Sequence, residues 1–117
     1  ITVLRRLEDT NVGTIKNVRF CNIFCRSENG ILLYGEAPDH ISGISFDHVT
    51  LNLCNTTKYQ KGNHDLRPTV GPKSTCDAPH FVYAHNCNRI DFANCSFSSA
   101  EAIPTPYIID QCADIDL

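Results

Sequence analysis

Four side chains in one polar stretch carry the chemistry most visible in this sequence: Tyr59, His64, Asp65 and Arg67. A guanidinium can hold a carboxylate through two parallel hydrogen bonds. A tyrosine ring offers a flat apolar face with a polar tip. Together these types suit ligand contact. The competing reading is that Asp65 and Arg67 pin the stretch to the body of the protein. His80, His85 and Cys87 also lie close in sequence, but their spacing matches no standard zinc pattern. A Cys–His nucleophile pair is disfavoured because Cys87 falls at an apolar position of the repeat described next. There is no glycine-rich phosphate loop. No catalytic residue, metal ligand or cofactor is therefore assigned from the residues.

Internal repeats must position these groups. Three segments align: Ile15 to Cys25, Ile41 to Leu51, and Cys87 to Phe97, with a fourth starting at Cys112. Five columns result. Ile15, Ile41, Cys87 and Cys112 form the first, and Val18, Ile44, Ile90 and Ile115 the second. Phe20, Phe46, Phe92 and Leu117 form the third. Ile23, Val49 and Cys95 follow, then Cys25, Leu51 and Phe97. Residues two apart on a strand share a face, so each Ile/Val-x-Phe turns both apolar groups inward. The two-residue gap after the phenylalanine breaks the alternation and implies a bend. Asn22, His48 and Asn94 occupy it, and asparagine tolerates unusual backbone angles. Stacked asparagines could also form an amide ladder, with His48 interrupting it.

An apolar strand precedes each aligned segment, at 31–34, 81–84 and 107–109. Phe20 and Phe46 are 26 residues apart, and Phe46 and Phe92 are 46 apart. The excess locates an insertion at 54–80, polar and rich in Gly, Pro and Lys. A repeat of about 25 residues, all strand, predicts an all-β fold: a right-handed parallel β-helix, a solenoid of about four turns open at both ends. Each turn would comprise three short strands and three bends. In that arrangement Asp91 and Asp116 share an outward column. Paired carboxylates roughly 5–9 Å apart are what glycosidic hydrolysis needs, but this column lies on the second sheet and reads as a solvated face.

Composition narrows the alternatives. The chain has 117 residues, 42% hydrophobic and 20% charged, which is enough to build a core. Its net charge of -3 gives no basic field for nucleic acid. No apolar run approaches the length of a membrane-spanning helix, so neither nucleic acid nor membrane is expected as a partner. Seven cysteines are scattered rather than compactly spaced. Cys25, Cys87, Cys95 and Cys112 fall in core columns and read as buried thiols. Cys54 and Cys76 bracket the insertion, and whether they pair is left open. The opening Ile1-Thr2-Val3-Leu4 reads as mid-strand, and the last residues fall inside a repeat. Residues 1–117 are therefore read as one segment of a larger protein, the remainder of that chain being an expected partner.

The repeats, the run Glu28-Asn29-Gly30-Ile31-Leu32-Leu33-Tyr34-Gly35 and the Asp65-Leu66-Arg67-Pro68 loop resemble polygalacturonase-type glycoside hydrolases of the pectin lyase fold. The resemblance spans essentially the whole chain. It implies extracellular or periplasmic location and a polysaccharide or oligosaccharide partner. The family's Asn-Thr-Asp, Asp-Asp, Gly-His-Gly and Arg-x-Lys signatures are absent, so no catalytic residue carries over. The implied role is a non-catalytic C-terminal part of a galacturonan-acting hydrolase. The strands at 31–34, 81–84 and 107–109 would extend its sugar groove, and the 54–80 insertion would wall it. Tyr83 and His85, with Tyr34 and Asp110, would then join Tyr59, His64, Asp65 and Arg67 as contact residues. The alternative is a non-enzymatic carbohydrate-binding stalk, adhesin or tailspike.

Overall fold

Apolar residues at alternate positions, interrupted by residues that accept left-handed backbone, make strands that bend without ending. The computed structural model describes residues 1–8, 11–75 and 78–117. The strands run β1 (Thr2–Val3), β2 (Ile15–Ser27), β3 (Ile31–Gly35), β4 (Ile41–Leu53), β5 (Val82–His85), β6 (Cys87–Ala93), β7 (Ser96–Ser99), β8 (Tyr107–Asp110) and β9 (Ala113–Asp116). One sheet has the order β1-β3-β5-β8. The other has the order β2-β4-β6-β9, with β7 also beside β4. All these strand pairs are parallel.

The register follows the columns read from the sequence. Val18 pairs with Ile44, Ile44 with Ile90 and Ile90 with Ile115. Phe20 pairs with Phe46 and Phe46 with Phe92. Their rings stack, with centroids 5.1 Å and 4.6 Å apart and planes 12° and 4° apart. Leu33, Ile41, Ile44, Val82 and Ile90 are completely buried between the sheets. Burying each such side chain contributes about 1.5–3 kcal/mol. Cys87 is buried in the same core, with Cys95 and Cys112 packed against it.

The expected right-handed parallel β-helix of about four three-stranded turns, open at both ends, is corrected by this topology. The strands form two parallel sheets, of four and five members, in a body with a radius of gyration of 14.2 Å and no helix among the described residues. The second and third strands of the first two repeats are not separate. They merge into the 13-residue β2 and β4. Pairing continues on both sides of the bend, so the backbone there stays within the sheet.

Left-handed residues explain how a strand turns inside a sheet. Asn22, His48 and Asn94 have φ of 57°, 55° and 55°, and a second column, Asn17, Gly43, Arg89 and Asp114, has φ between 54° and 66°. Asparagine reaches this region at low cost, and glycine at none. Gly43 is required for space as well, since a Cβ there would sit 2.6 Å from Asn17 Oδ1. No amide ladder links Asn94 to its neighbours in the bend column. Its Nδ2 donates instead to Asp47 Oδ1 at 3.1 Å, and Asp47 also accepts from Arg19 Nη2 at 2.6 Å. These bonds, with His48 beside them, hold the Asp47 carboxyl below its ordinary range.

Candidate functional site

The site is built on the outward face of the four-stranded sheet. Leu33, Val82 and Ala84 point inward and are buried. Alternation then sends Leu32, Tyr34, Tyr83 and His85 outward. Register sets two columns: Thr2, Tyr34, His85 and Asp110, beside Leu32, Tyr83 and Ile108. Tyr34 stacks on His85 with centroids 4.6 Å apart and lies 6.2 Å from Tyr83. Asp110 Oδ2 accepts from His85 Nδ1 at 2.8 Å. His85 Nε2 lies 3.2 Å from the Asn86 amide nitrogen, which also donates to Gly35 and Glu36 carbonyls. The histidine is thus held by both ring nitrogens, and its plane is fixed against Tyr34. Burial, with the charge of Asp110, raises the Tyr34 phenol above its ordinary range.

The insertion is attached to this sheet by the Glu28-Asn29-Gly30 run. Glu28 accepts from Thr56 N, Thr57 N and both threonine hydroxyls at 2.7–3.1 Å. Those bonds pull its carboxyl from 4.5 to about 2, with the Thr57 hydroxyl contributing most. Asn29 Oδ1 accepts from Gly62 N at 2.7 Å, and its Nδ2 donates to Asn63 O at 3.1 Å. Gly30 lets the returning chain pass: a Cβ there would meet the carbonyl oxygens of His80 and Phe81 at 2.4 Å. Three consecutive residues therefore grip the start of the insertion and admit its end.

Within the insertion, an antiparallel bridge joins Asp65 to Ser74, and Leu66 N donates to Lys73 O at 2.9 Å. Leu66 and Thr69 are buried, and Val70 N donates to Arg5 O at 3.0 Å. The hairpin thus reaches back to the chain just after β1. Whether Cys54 pairs with Cys76 turns on a residue outside those described. Cys54 Sγ lies 3.5 Å from Ser27 O.

The sequence-derived candidates separate into three places. Tyr59 is 71% exposed, with Lys58 Nζ 5.9 Å from its ring centroid. Asp65 and Arg67 bind each other, Arg67 Nε to Oδ1 at 2.9 Å and Nη2 to Oδ2 at 2.7 Å, on the surface. Neither the pinning reading nor a free arginine fork describes them. With Asn63, Lys73 and Ser74 they line a shallow concavity of about 390 Å³. His64 turns inward to His80, and His80 lies against Tyr83, with centroids 5.6 Å apart. So His64, Tyr83 and His85 belong to one neighbourhood.

His80 and Glu28 were not among the residues singled out for ligand contact. His80 sits at the return of the insertion, 1% exposed. Its Nδ1 faces Ala78 O at 2.8 Å and must donate to it, so the neutral ring accepts at Nε2. His64 Nε2, 3.0 Å away, then carries the hydrogen. Burial is the main cause that lowers both rings, His64 to about 4, where the nearby His80 and the N-terminal amine act in the same direction. Both are neutral at pH 7. Among the described residues no group of three or more His, Cys, Asp or Glu converges as metal ligands. Cys87 points into the core, and burial pushes its thiol up to about 12, far from a reactive thiolate. Asp91 and Asp116 pair in register on the outside of the other sheet, as the repeat implied.

No family model, curated protein or solved structure matches this chain.

Proposed function

We propose that this chain is a carbohydrate-contacting, non-catalytic part of a polysaccharide-acting glycoside hydrolase, its substrate class an acidic galacturonan-like polymer. The observation that carries this reading is the outward face of Tyr83 and His85, with Tyr34 only 7% exposed and packed against His85, bordered by the clamped insertion. Flat rings beside hydrogen-bonding tips suit a sugar, which has apolar C–H faces and a polar rim. The sequence resemblance to polygalacturonases supports the same substrate class.

Several of the described carboxylates are engaged by other groups, which favours the non-catalytic role. Hydrolysis needs two carboxyl groups facing one glycosidic bond, one of them as acid. Asp110 is bound to His85, Asp65 to Arg67 and Glu36 to Arg5. Asp91 and Asp116 lie on the other sheet. The catalytic carboxylates would then come from elsewhere in the parent chain. Affinity electrophoresis in gels containing polygalacturonate tests the reading: retardation without release of reducing ends is expected. Turnover by this chain refutes the non-catalytic role, and unretarded migration refutes carbohydrate contact.

A further inference from the structure

We propose that Cys87 and Cys112 are a disulfide site, oxidised by a low-molecular-weight disulfide of the glutathione class. Register places the two side by side. His85 pairs with Asp110 before them and Asn88 with Ala113 after them, so Cys87 and Cys112 occupy opposite positions of neighbouring parallel strands. Paired strands lie about 4.8 Å apart, within the range of about 4.4–6.8 Å that separates the Cα atoms of a disulfide. The alignment is particular to this pair. Ile41 is the other neighbour of Cys87, and Cys21 and Cys25 lie opposite Asp47 and Leu51.

The thiols hold equivalent positions. Cys87 Sγ lies 3.2 Å from His85 O, and Cys112 Sγ lies 3.2 Å from Asp110 O. Cys112 Sγ also accepts from Cys87 N at 3.4 Å, which sets it over the backbone of its neighbour. A hydrogen bond between the two thiols is among the causes that hold the Cys87 proton. A change of side-chain rotamer is what remains to bring the sulfurs to a bonded distance of about 2.05 Å.

Exposure sets the order of steps. Cys87 is 2% exposed, whereas Cys112 is partly exposed beside β9, the last strand of its sheet. Cys112 loses its proton to solvent, and its thiolate attacks one sulfur of the oxidant. The S–S bond of the oxidant breaks, one small thiolate leaves, and a mixed disulfide remains on Cys112. Cys87 then loses its proton and attacks Cys112 Sγ, displacing the second small thiolate. Two electrons and two protons have passed from the pair to the oxidant, which departs as two thiols. Burial keeps the Cys87 thiol protonated, so the second step is the slow one. The new bond joins residues 25 apart and braces β8 against β5 next to the His85–Asp110 contact.

The test is incubation of the folded whole chain with oxidised glutathione, then alkylation, digestion and fragmentation mass spectrometry. A Cys87–Cys112 linked peptide is expected, lighter by two hydrogens and reversed by dithiothreitol, preceded by a glutathione adduct on Cys112. The closed loop is expected to raise Tm by about 10–15 °C over the reduced chain. Cys112→Ser, a change at a partly exposed position, is expected to abolish the link, and Cys95→Ser to retain it. Absence of the link in the unmodified chain overturns the proposal. So does oxidation that leaves both Cys87 and Cys112 free to be alkylated, or a Cys87–Cys112 link that lowers Tm.

Discussion

Truncating Phe46 to alanine tests whether the stacked phenylalanines organise the core. Phe46 is 6% exposed and has a ring on each side, at 5.1 Å and 4.6 Å. Phe20 and Phe92 are partly buried, and Phe20 has one stacked neighbour. Removing a buried phenylalanine costs about 3–5 kcal/mol, the upper part of that range where the cavity cannot collapse. Parallel strands hold the neighbours of Phe46 in place on both sides, so little collapse is available. A loss of about 4 kcal/mol is expected for Phe46→Ala. For Phe20→Ala about 2 kcal/mol is expected, because the site is partly solvated and one ring pair is lost rather than two. With an unfolding entropy of about 2.1 cal/mol/K per residue, the larger loss lowers Tm by about 16 °C. Urea denaturation followed by far-UV circular dichroism, with tyrosine fluorescence as a second probe, reads both values. A cost below about 1 kcal/mol at Phe46, or an equal cost at both sites, would refute the continuous stack.

Four further outcomes are expected. Glu28→Gln should release the start of the insertion, seen as faster hydrogen exchange at Thr56, Thr57 and Gly62 with the core strands unaffected. The same anchor depends on pH: a carboxyl at about 2 when folded and 4.5 when not gives its full stabilisation above pH 4.5 and loses it as pH falls towards 2. Exchange at these amides should therefore rise on acidification through that window in the unmodified chain and be flat in Glu28→Gln. Gly30→Ala places a Cβ against two carbonyl oxygens at 2.4 Å and should cost about 2 kcal/mol or more, measured by thermal unfolding. Gly43→Ala, at φ of 66° and against Asn17, should cost about 1–2 kcal/mol by the same method.

Much of the register was legible because it depends on local alternation. Val18, Ile44 and Ile90, and the three phenylalanines, pair as their spacing implies, since one inward face admits only one alignment of apolar residues. The merging of bends into β2 and β4 was not legible. Whether a left-handed residue ends a strand or merely turns it depends on whether the next strand continues to pair. The insertion was less readable still. Asp65 and Arg67 looked like ligand groups or pins, yet two residues of separation let them close on each other. Glu28-Asn29-Gly30 clamps residues 28 to 34 positions away, a contact that no local pattern announces. His80 acquires its partner only because the hairpin folds back on itself, and no periodicity announces that contact.

Site-resolved NMR during titration with an oligogalacturonate addresses carbohydrate contact most directly. Saturable shifts should centre on Tyr83, His85 and Ile108, and Tyr83→Ala should weaken binding about fivefold, the equivalent of about 1 kcal/mol of stacking. Shifts confined to the opposite sheet, around Asp91 and Asp116, or binding unchanged in Tyr83→Ala, would contradict the assignment of this face.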